Sequence, residues 1–296
     1  MNKPTAHRAG FVNIIGRPNV GKSTLMNAMV GEKLSIITSK AQTTRHRIHG
    51  MVNDENYQIV FSDTPGILDP AYKLQESMLK SARSAISDAD IVLYITDPYE
   101  KPEESDQILD KLNKIEAPVI LLINKVDQSS QERLELLVEK WHELLPKAEI
   151  IPISALKKFN VKPVLSRIIA LLPLSPPYYP KDMLTDKSER FFTGEMIRER
   201  ILVHYKKEIP YSVEIEIESF KEEESIIRIR AIIYVERETQ KGILIGHQGG
   251  ALKRIGRESR LEMEAFFQKK VFLEMQVKVQ KDWRNNDKNL KNFGYR

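Results

Sequence analysis

"GRPNVGKS", residues Gly16 to Ser23, decides the fold, because it matches G-x-x-x-x-G-K-[ST] between a strand-like run, "AGFVNIIG", and a helix-like run, "STLMNAMV". Strand, glycine loop and helix in that order make a cradle for a phosphate chain. Glycines let the backbone wrap closely, amides at the helix N-terminus point inward, a lysine reaches the β and γ phosphates, and a hydroxyl ligates Mg²⁺. The candidate nucleotide-binding residues here are Gly16, Arg17, Pro18, Asn19, Val20, Gly21, Lys22, Ser23 and Thr24. Lys22 is assigned to the phosphates and Ser23 to the metal.

Outward from this loop, apolar runs alternate with helical patterns: "YQIVFSDTPG", "DIVLYITD", "APVILLINKVD", "EIIPISA" and "VKPVLSRIIALL". Continuous apolar strands separated by helices describe a mostly parallel sheet covered on both faces. The expected fold is a doubly wound α/β domain within residues 1–172, its regular part starting near residue 8. Ligands of such sheets sit at the carboxyl ends of the strands, and each further motif follows a strand. In "DTPG", Asp63 is placed to hold Mg²⁺ directly or through water, and Gly66 to offer its amide to the γ phosphate; Thr64 and Pro65 complete the loop and Ile67 follows it. Upstream, "SKAQTTRHR" supplies Gln42, Thr43, Thr44, Arg45 and His46 as a segment that changes with the nucleotide. Either threonine can put a hydroxyl on the metal, and Thr44 is favoured.

"NKVD" chooses the base. The Asp127 carboxylate can accept from guanine N1 and its exocyclic amine together, whereas adenine would leave a carboxylate unpaired at a cost of roughly 1–3 kcal/mol or more. Asn124 supports the loop, the stem of Lys125 covers the ring, and Ser154 with Ala155 offers a backbone amide to guanine O6. Four motifs in this order, each at a strand end, specify GTP and GDP as ligands.

The chain has 296 residues, 41% hydrophobic and 29% charged, with no cysteine. That length suits two domains. No apolar run approaches the ~20 residues of a membrane span, and the N-terminal "MNKPTAHRAGFV" lacks an apolar signal core. A cytoplasmic address is expected. From Lys241 onward 13 Lys and Arg stand against 6 Asp and Glu, an excess larger than the net +5 of the whole chain. A polyanion would bind at that end.

Residues 173–189, "LPLSPPYYPKDMLTDKS" with its neighbours, hold four prolines close together and read as a linker of restricted flexibility. Residues 190–296 then change to an αββααβ order, a separate small α+β domain. Within it "GILIGHQGGALKRIG" contains G-x-x-G. Alone that is more simply a glycine-capped corner between helices; with Gly246, His247, Gln248 and Gly249 followed by Lys253, Arg254 and Arg257, it can hold the phosphates of a polyanion. Ile243, Ile245 and Ile255 are expected to line or support the adjacent groove. The final stretch adds Lys281, Trp283 and Arg284 as candidate RNA contacts on a basic tail, the tryptophan either packed or stacked on a base.

The motifs around Lys22, Asp63, Asn124 and Ala155 resemble those of translation-factor-like GTPases, and with the C-terminal domain the whole chain resembles the Era-like family. The resemblance implies a P-loop GTPase domain followed by a type II KH domain, whose GXXG loop clamps about four nucleotides of single-stranded RNA. It implies that the RNA is small-subunit ribosomal RNA near its 3′ end, that the 30S subunit is the partner, and that the role is ribosome maturation. Ile67 stands where Ras-type enzymes place a water-orienting glutamine, and an aliphatic residue there is usual in the family. Hydrolysis is then expected to rest on Lys22, Asn19, Thr44 and Gly66 with Mg²⁺, Asn19 sitting where relatives ligate K⁺. A monomer is expected, and peripheral membrane attachment is left open. The competing readings are an assembly protein that binds nucleotide without turnover and a regulator using its basic end on anionic lipid.

Overall fold

The computed structural model describes residues 7–100 and 106–295. Its elements separate into two compact units. The first comprises Met1–Ser35, Thr44–Asp69 and Met78–Asp186; the second comprises Lys187–Arg296 together with Ile36–Thr43 and Pro70–Ser77.

The first unit is built on strands β1 (Arg8–Gly16), β2 (Ile48–Asn53), β3 (Tyr57–Asp63), β4 (Ile91–Thr96), β5 (Val119–Ile123) and β6 (Glu149–Pro152). Helices α1 (Lys22–Val30), α2 (Lys73–Ser87), α3 (Asp106–Lys114), α4 (Gln131–Leu144) and α5 (Val161–Leu171) connect them. The sheet order is β2-β3-β1-β4-β5-β6. Of these strands β2 runs antiparallel, along β3; the other pairings between them are parallel. The central strands are buried on both faces, all six residues of "IVLYIT" included, which is why they read as unbroken apolar runs. Because β1 lies between β3 and β4, the strand order reverses beside it. A crevice opens at the carboxyl end of β1 for that reason, and the glycine loop occupies it.

The proline-rich stretch departs from the expected linker over 173–189. Up to Asp186 it lies as a strap on the first unit. Buried Gln58 on β3 accepts from the amides of Tyr178 and Tyr179 at 2.7 and 3.0 Å and donates to the Tyr179 carbonyl at 2.8 Å. Further on, Met51 N–H donates to the Leu184 carbonyl at 2.8 Å and the Thr185 hydroxyl to the His49 carbonyl at 2.7 Å. Backbone groups along a proline-rich stretch still require partners, and the β2–β3 side of the sheet supplies them.

The second unit contains α6 (Glu189–His204), α7 (Ile209–Ser212), β7 (Glu214–Glu222), β8 (Ile226–Val235), α8 (Glu238–Ile245), α9 (Gly250–Phe267), β9 (Lys270–Val279) and α10 (Asp287–Asn292). It follows the αββααβ order with two short helices added. The sheet is β7-β8-β9, antiparallel then parallel. On β8 Ile227, Ile229, Ala231 and Ile233 turn inward and Arg228 and Arg230 outward, so period-two patterning defines one covered face. Ile197, Ile201, Ile255 and Met263 of α6 and α9 pack on that face. Within the same unit, the buried Arg198 side chain pairs with Glu195 and donates to the Thr43 carbonyl, and Tyr72 donates its hydroxyl to Gln42 at 2.7 Å.

Candidate functional site

The glycine loop joins β1 to α1 through backbone that few residues tolerate. Gly21, the residue before α1, has φ +103°, and a Cβ there would collide with the Asn124 side-chain amide. Only glycine meets both demands. Asn19 also lies in the left-handed region, at φ 65°, where asparagine is among the more tolerant residues. Arg17 approaches Glu100 at 3.5 Å, Val20 is buried, and Gly66 lies so close that a Cβ on it would meet the Pro18 backbone at 2.9 Å. The Lys22 ammonium donates to the Arg17 carbonyl at 2.6 Å across the loop. Burial pushes its pKa down to about 8, against the pull of Asp63 and Glu100.

Three oxygens converge at the start of α1. Ser23 Oγ donates to Asp63 Oδ2 at 2.7 Å and lies 2.9 Å from Thr44 Oγ1, which donates to the same carboxylate oxygen at 3.1 Å. Thr43 turns elsewhere: its hydroxyl donates to the Lys40 carbonyl at 2.6 Å and lies 2.7 Å from Thr38 Oγ1. Asp63 is fully buried and its Oδ1 has no hydrogen-bond partner. Burial pushes its carboxyl pKa up, with the Ser23 hydroxyl and Lys22 acting the other way. Two hydroxyls around a buried carboxylate with an unsatisfied oxygen form a hard-oxygen donor set that suits Mg²⁺. Thr64 anchors the next loop by donating to the Ile14 carbonyl at 2.8 Å, Pro65 is buried, and the Ile67 amide donates to the Gly16 carbonyl at 3.1 Å. The Ile67 side chain packs against the apolar core. Arg45 is buried, and Gln42 and His46 are partly exposed.

The base side is organised by Asn124. Its amide donates to the Val20 carbonyl at 2.7 Å and its Oδ1 accepts from the Ala155 amide at 2.9 Å. One side chain thereby fixes the phosphate loop and the Ser154–Ala155 turn against each other, while Ser154 receives the Lys157 amide. Asp127 is exposed at the rim, and Lys125 adopts φ 60°. Asp97, which follows β4 and was assigned no role from sequence, pairs with the Lys125 ammonium at 2.6 Å. A carboxylate directly after an apolar strand was the available signal. Nothing in a linear motif says which loop it faces.

In the second unit the GXXG loop is a single turn between α8 and α9. Gly246 has φ 72° and Gly249 φ 75°, and a Cβ on Gly246 would meet Ala251 Cβ at 2.6 Å. His247 and Gln248 project from this turn, exposed, and Lys253, Arg254 and Arg257 are exposed on α9. The turn thus opens an 18-residue helix that carries three exposed cations near its N-terminus.

Two expectations are corrected, those of Trp283 and Arg284 as RNA contacts. Trp283 is not a stacking platform: it is fully buried, donates its ring N–H to the Ser212 carbonyl at 3.0 Å and meets Phe293 edge-on. Arg284 is not displayed for phosphate, because it forms an ion pair with Glu236 and lies over the Tyr72 ring. The end of the chain packs: Leu290 and Tyr295 are buried and the Tyr295 hydroxyl reaches Glu214 at 2.7 Å. Of the three isoleucines expected to line or support the groove, Ile255 is buried in the core, Ile245 is partly buried and Ile243 is exposed. Lys281 remains exposed. Among the described residues no helix is long and apolar enough to cross a membrane.

A doubly wound sheet with this phosphate loop, this oxygen cluster and this base-side loop defines a GTPase, here carrying a KH domain. The sequence matches the family described as 50S ribosome-binding GTPase over residues 11–125 and the KH domain family over residues 208–284. It is 44% identical over 291 residues to GTPase Era of Clostridium kluyveri, covering 98% of this chain and 99% of that one. With GTPase Era of Ruminiclostridium cellulolyticum it shares 42% over 293 residues, 98% of each chain. The fold matches a crystal structure of Era in complex with MgGDPNP and nucleotides 1506–1542 of 16S ribosomal RNA, with TM-score 0.93, 37% identity and coverage of 98% and 99%. A tyrosine-to-alanine variant of Aquifex aeolicus Era bound to GDP and AlF4⁻ matches with the same score and identity, over 97% of this chain and 99% of that one. The chain belongs to the Era family of GTPases.

Proposed function

We propose that this GTPase binds single-stranded RNA from the 3′ region of small-subunit ribosomal RNA, acts in assembly and maturation of the 30S subunit, and couples its nucleotide state to RNA binding. The observation that carries the RNA reading is the exposed GXXG turn opening α9 beside Lys253, Arg254 and Arg257. Backbone amides and cations there fit a chain of phosphates. A similar Era structure holds nucleotides 1506–1542 of 16S ribosomal RNA, which supports the choice of target.

At the first loop GTP is hydrolysed to GDP and phosphate. Gly16 to Thr24 wrap the phosphate chain, and Lys22 offsets charge on the β and γ groups. Ser23 and Thr44 would hold Mg²⁺ with Asp63, directly or through water, and the ion supplies charge neutralisation between the phosphates. The Gly66 amide faces the γ phosphate. Ile67 has no polar group to orient the attacking water, which leaves backbone groups to do so, and Asn19 would hold a K⁺ that would add positive charge where it develops in the transition state. The coupling would run through GTP-dependent ordering of residues 33–47 and of the loop after Asp63. A monomer in the cytoplasm completes the reading.

RNA affinity measured with GDP and with a GTP analogue tests this: the two differ, and RNA changes the hydrolysis rate. Equal affinities together with RNA-insensitive hydrolysis would overturn the coupling.

A further inference from the structure

We infer that Asp97 is a positioning residue for the guanine site, acting through Lys125. This rests on the reading of Asn124 to Asp127 as the base-side loop. The carboxylate stands one residue past β4, the strand hydrogen-bonded to β5, so the sheet itself brings the two loops side by side. Asp97 is nearly buried. Its Oδ2 receives the Lys125 ammonium at 2.6 Å and its Oδ1 receives the Tyr99 amide at 3.0 Å. The second bond fixes the carboxylate, and the first fixes the lysine.

The same turn grips the base-side loop at other points. The Asn124 backbone N–H donates to the Thr96 carbonyl at 2.9 Å, the Tyr99 hydroxyl to the Gln128 carbonyl at 3.3 Å, and Arg133 to the Pro98 carbonyl at 2.6 Å. Lys125 needs such restraint. A long flexible stem loses rotamer freedom when ordered, and its backbone sits at φ 60°, a region few side chains adopt. Held at its tip, the apolar stem becomes a fixed lid for a ring face. A lid on the face contributes affinity without reading the edge, which belongs to Asp127.

The test measures dissociation of fluorescent GDP and GDP-over-ADP selectivity for the full chain, for Asp97→Asn and Lys125→Met, and for the double variant. Asparagine keeps the acceptor for Tyr99, and methionine keeps an unbranched stem without charge. Asp97→Asn is expected to speed GDP release about tenfold, the effect of losing a charge-assisted bond, with selectivity retained and the melting temperature of the nucleotide-free protein unchanged. In the Lys125→Met background Asp97→Asn adds nothing. Unchanged release, independent additive effects, or selectivity lost along with affinity would each overturn the inference. A wild-type protein that binds ADP as tightly as GDP would instead overturn the base-site reading, and the inference with it.

Discussion

Asn124 donates its side-chain amide to the carbonyl of Val20 at 2.7 Å, reaching from the end of β5 into the phosphate loop. The bond is buried, and its geometry explains why Gly21 can carry no side chain. Removing the amide leaves the Val20 carbonyl and the Ala155 amide without partners inside the protein. Asn124→Ala is therefore expected to destabilise the first unit by about 1–3 kcal/mol and to weaken GDP binding. Urea unfolding and nucleotide titration on one preparation check both outcomes.

The two adjacent threonines differ in their partners. Thr44 shares a carboxylate oxygen with Ser23, whereas Thr43 bonds within its own loop. Thr44→Ala is expected to slow GTP turnover about tenfold or more and raise the Mg²⁺ concentration required, because a hard-oxygen ligand is lost. Thr43→Ala retains the Mg²⁺ dependence of the wild type. Turnover across a Mg²⁺ series distinguishes them, and identical curves for the two variants would refute the assignment.

Trp283 is a stability residue. Its ring is enclosed and its N–H satisfied by Ser212. Trp283→Ala should cost about 3–5 kcal/mol, as expected for deleting a buried aromatic. Saturating a Trp141→Phe sample with a single-stranded oligonucleotide should leave Trp283 emission unquenched, since no base can reach the ring. Strong quenching in a Trp141→Phe background would show that it stacks after all.

What the sequence made legible was whatever short-range chemistry requires. Gly16, Gly21, Lys22 and Ser23 sit at fixed spacing because one loop must wrap one phosphate chain, and the apolar runs of β1, β4 and β5 announce strands buried on both faces. The αββααβ order also survives, since β8 alternates and α9 has a clear apolar face. Other features depend on partners far along the chain. Asp97 and Lys125 are 28 residues apart, and Gln58 holds a strap 120 residues away; no local pattern marks either pairing. The end of the chain misled for a related reason. Its lysines and asparagines suggest solvent, but Leu290 on α10, Trp283 before that helix and Tyr295 after it are all buried.

The central claim is that two glycine loops divide the labour, one holding nucleotide and the other RNA. The most direct measurement is GTP turnover in K⁺ buffer with and without an RNA fragment from the small-subunit rRNA 3′ end, for wild type and for a Gly246→Asp, Gly249→Asp variant. Carboxylates at these positions repel phosphate and strain backbone that sits at positive φ. RNA should alter turnover of the wild type and have no effect on the variant, with basal hydrolysis equal in both. An unchanged response to RNA in the variant, or loss of its basal hydrolysis while the protein stays folded, would contradict the division.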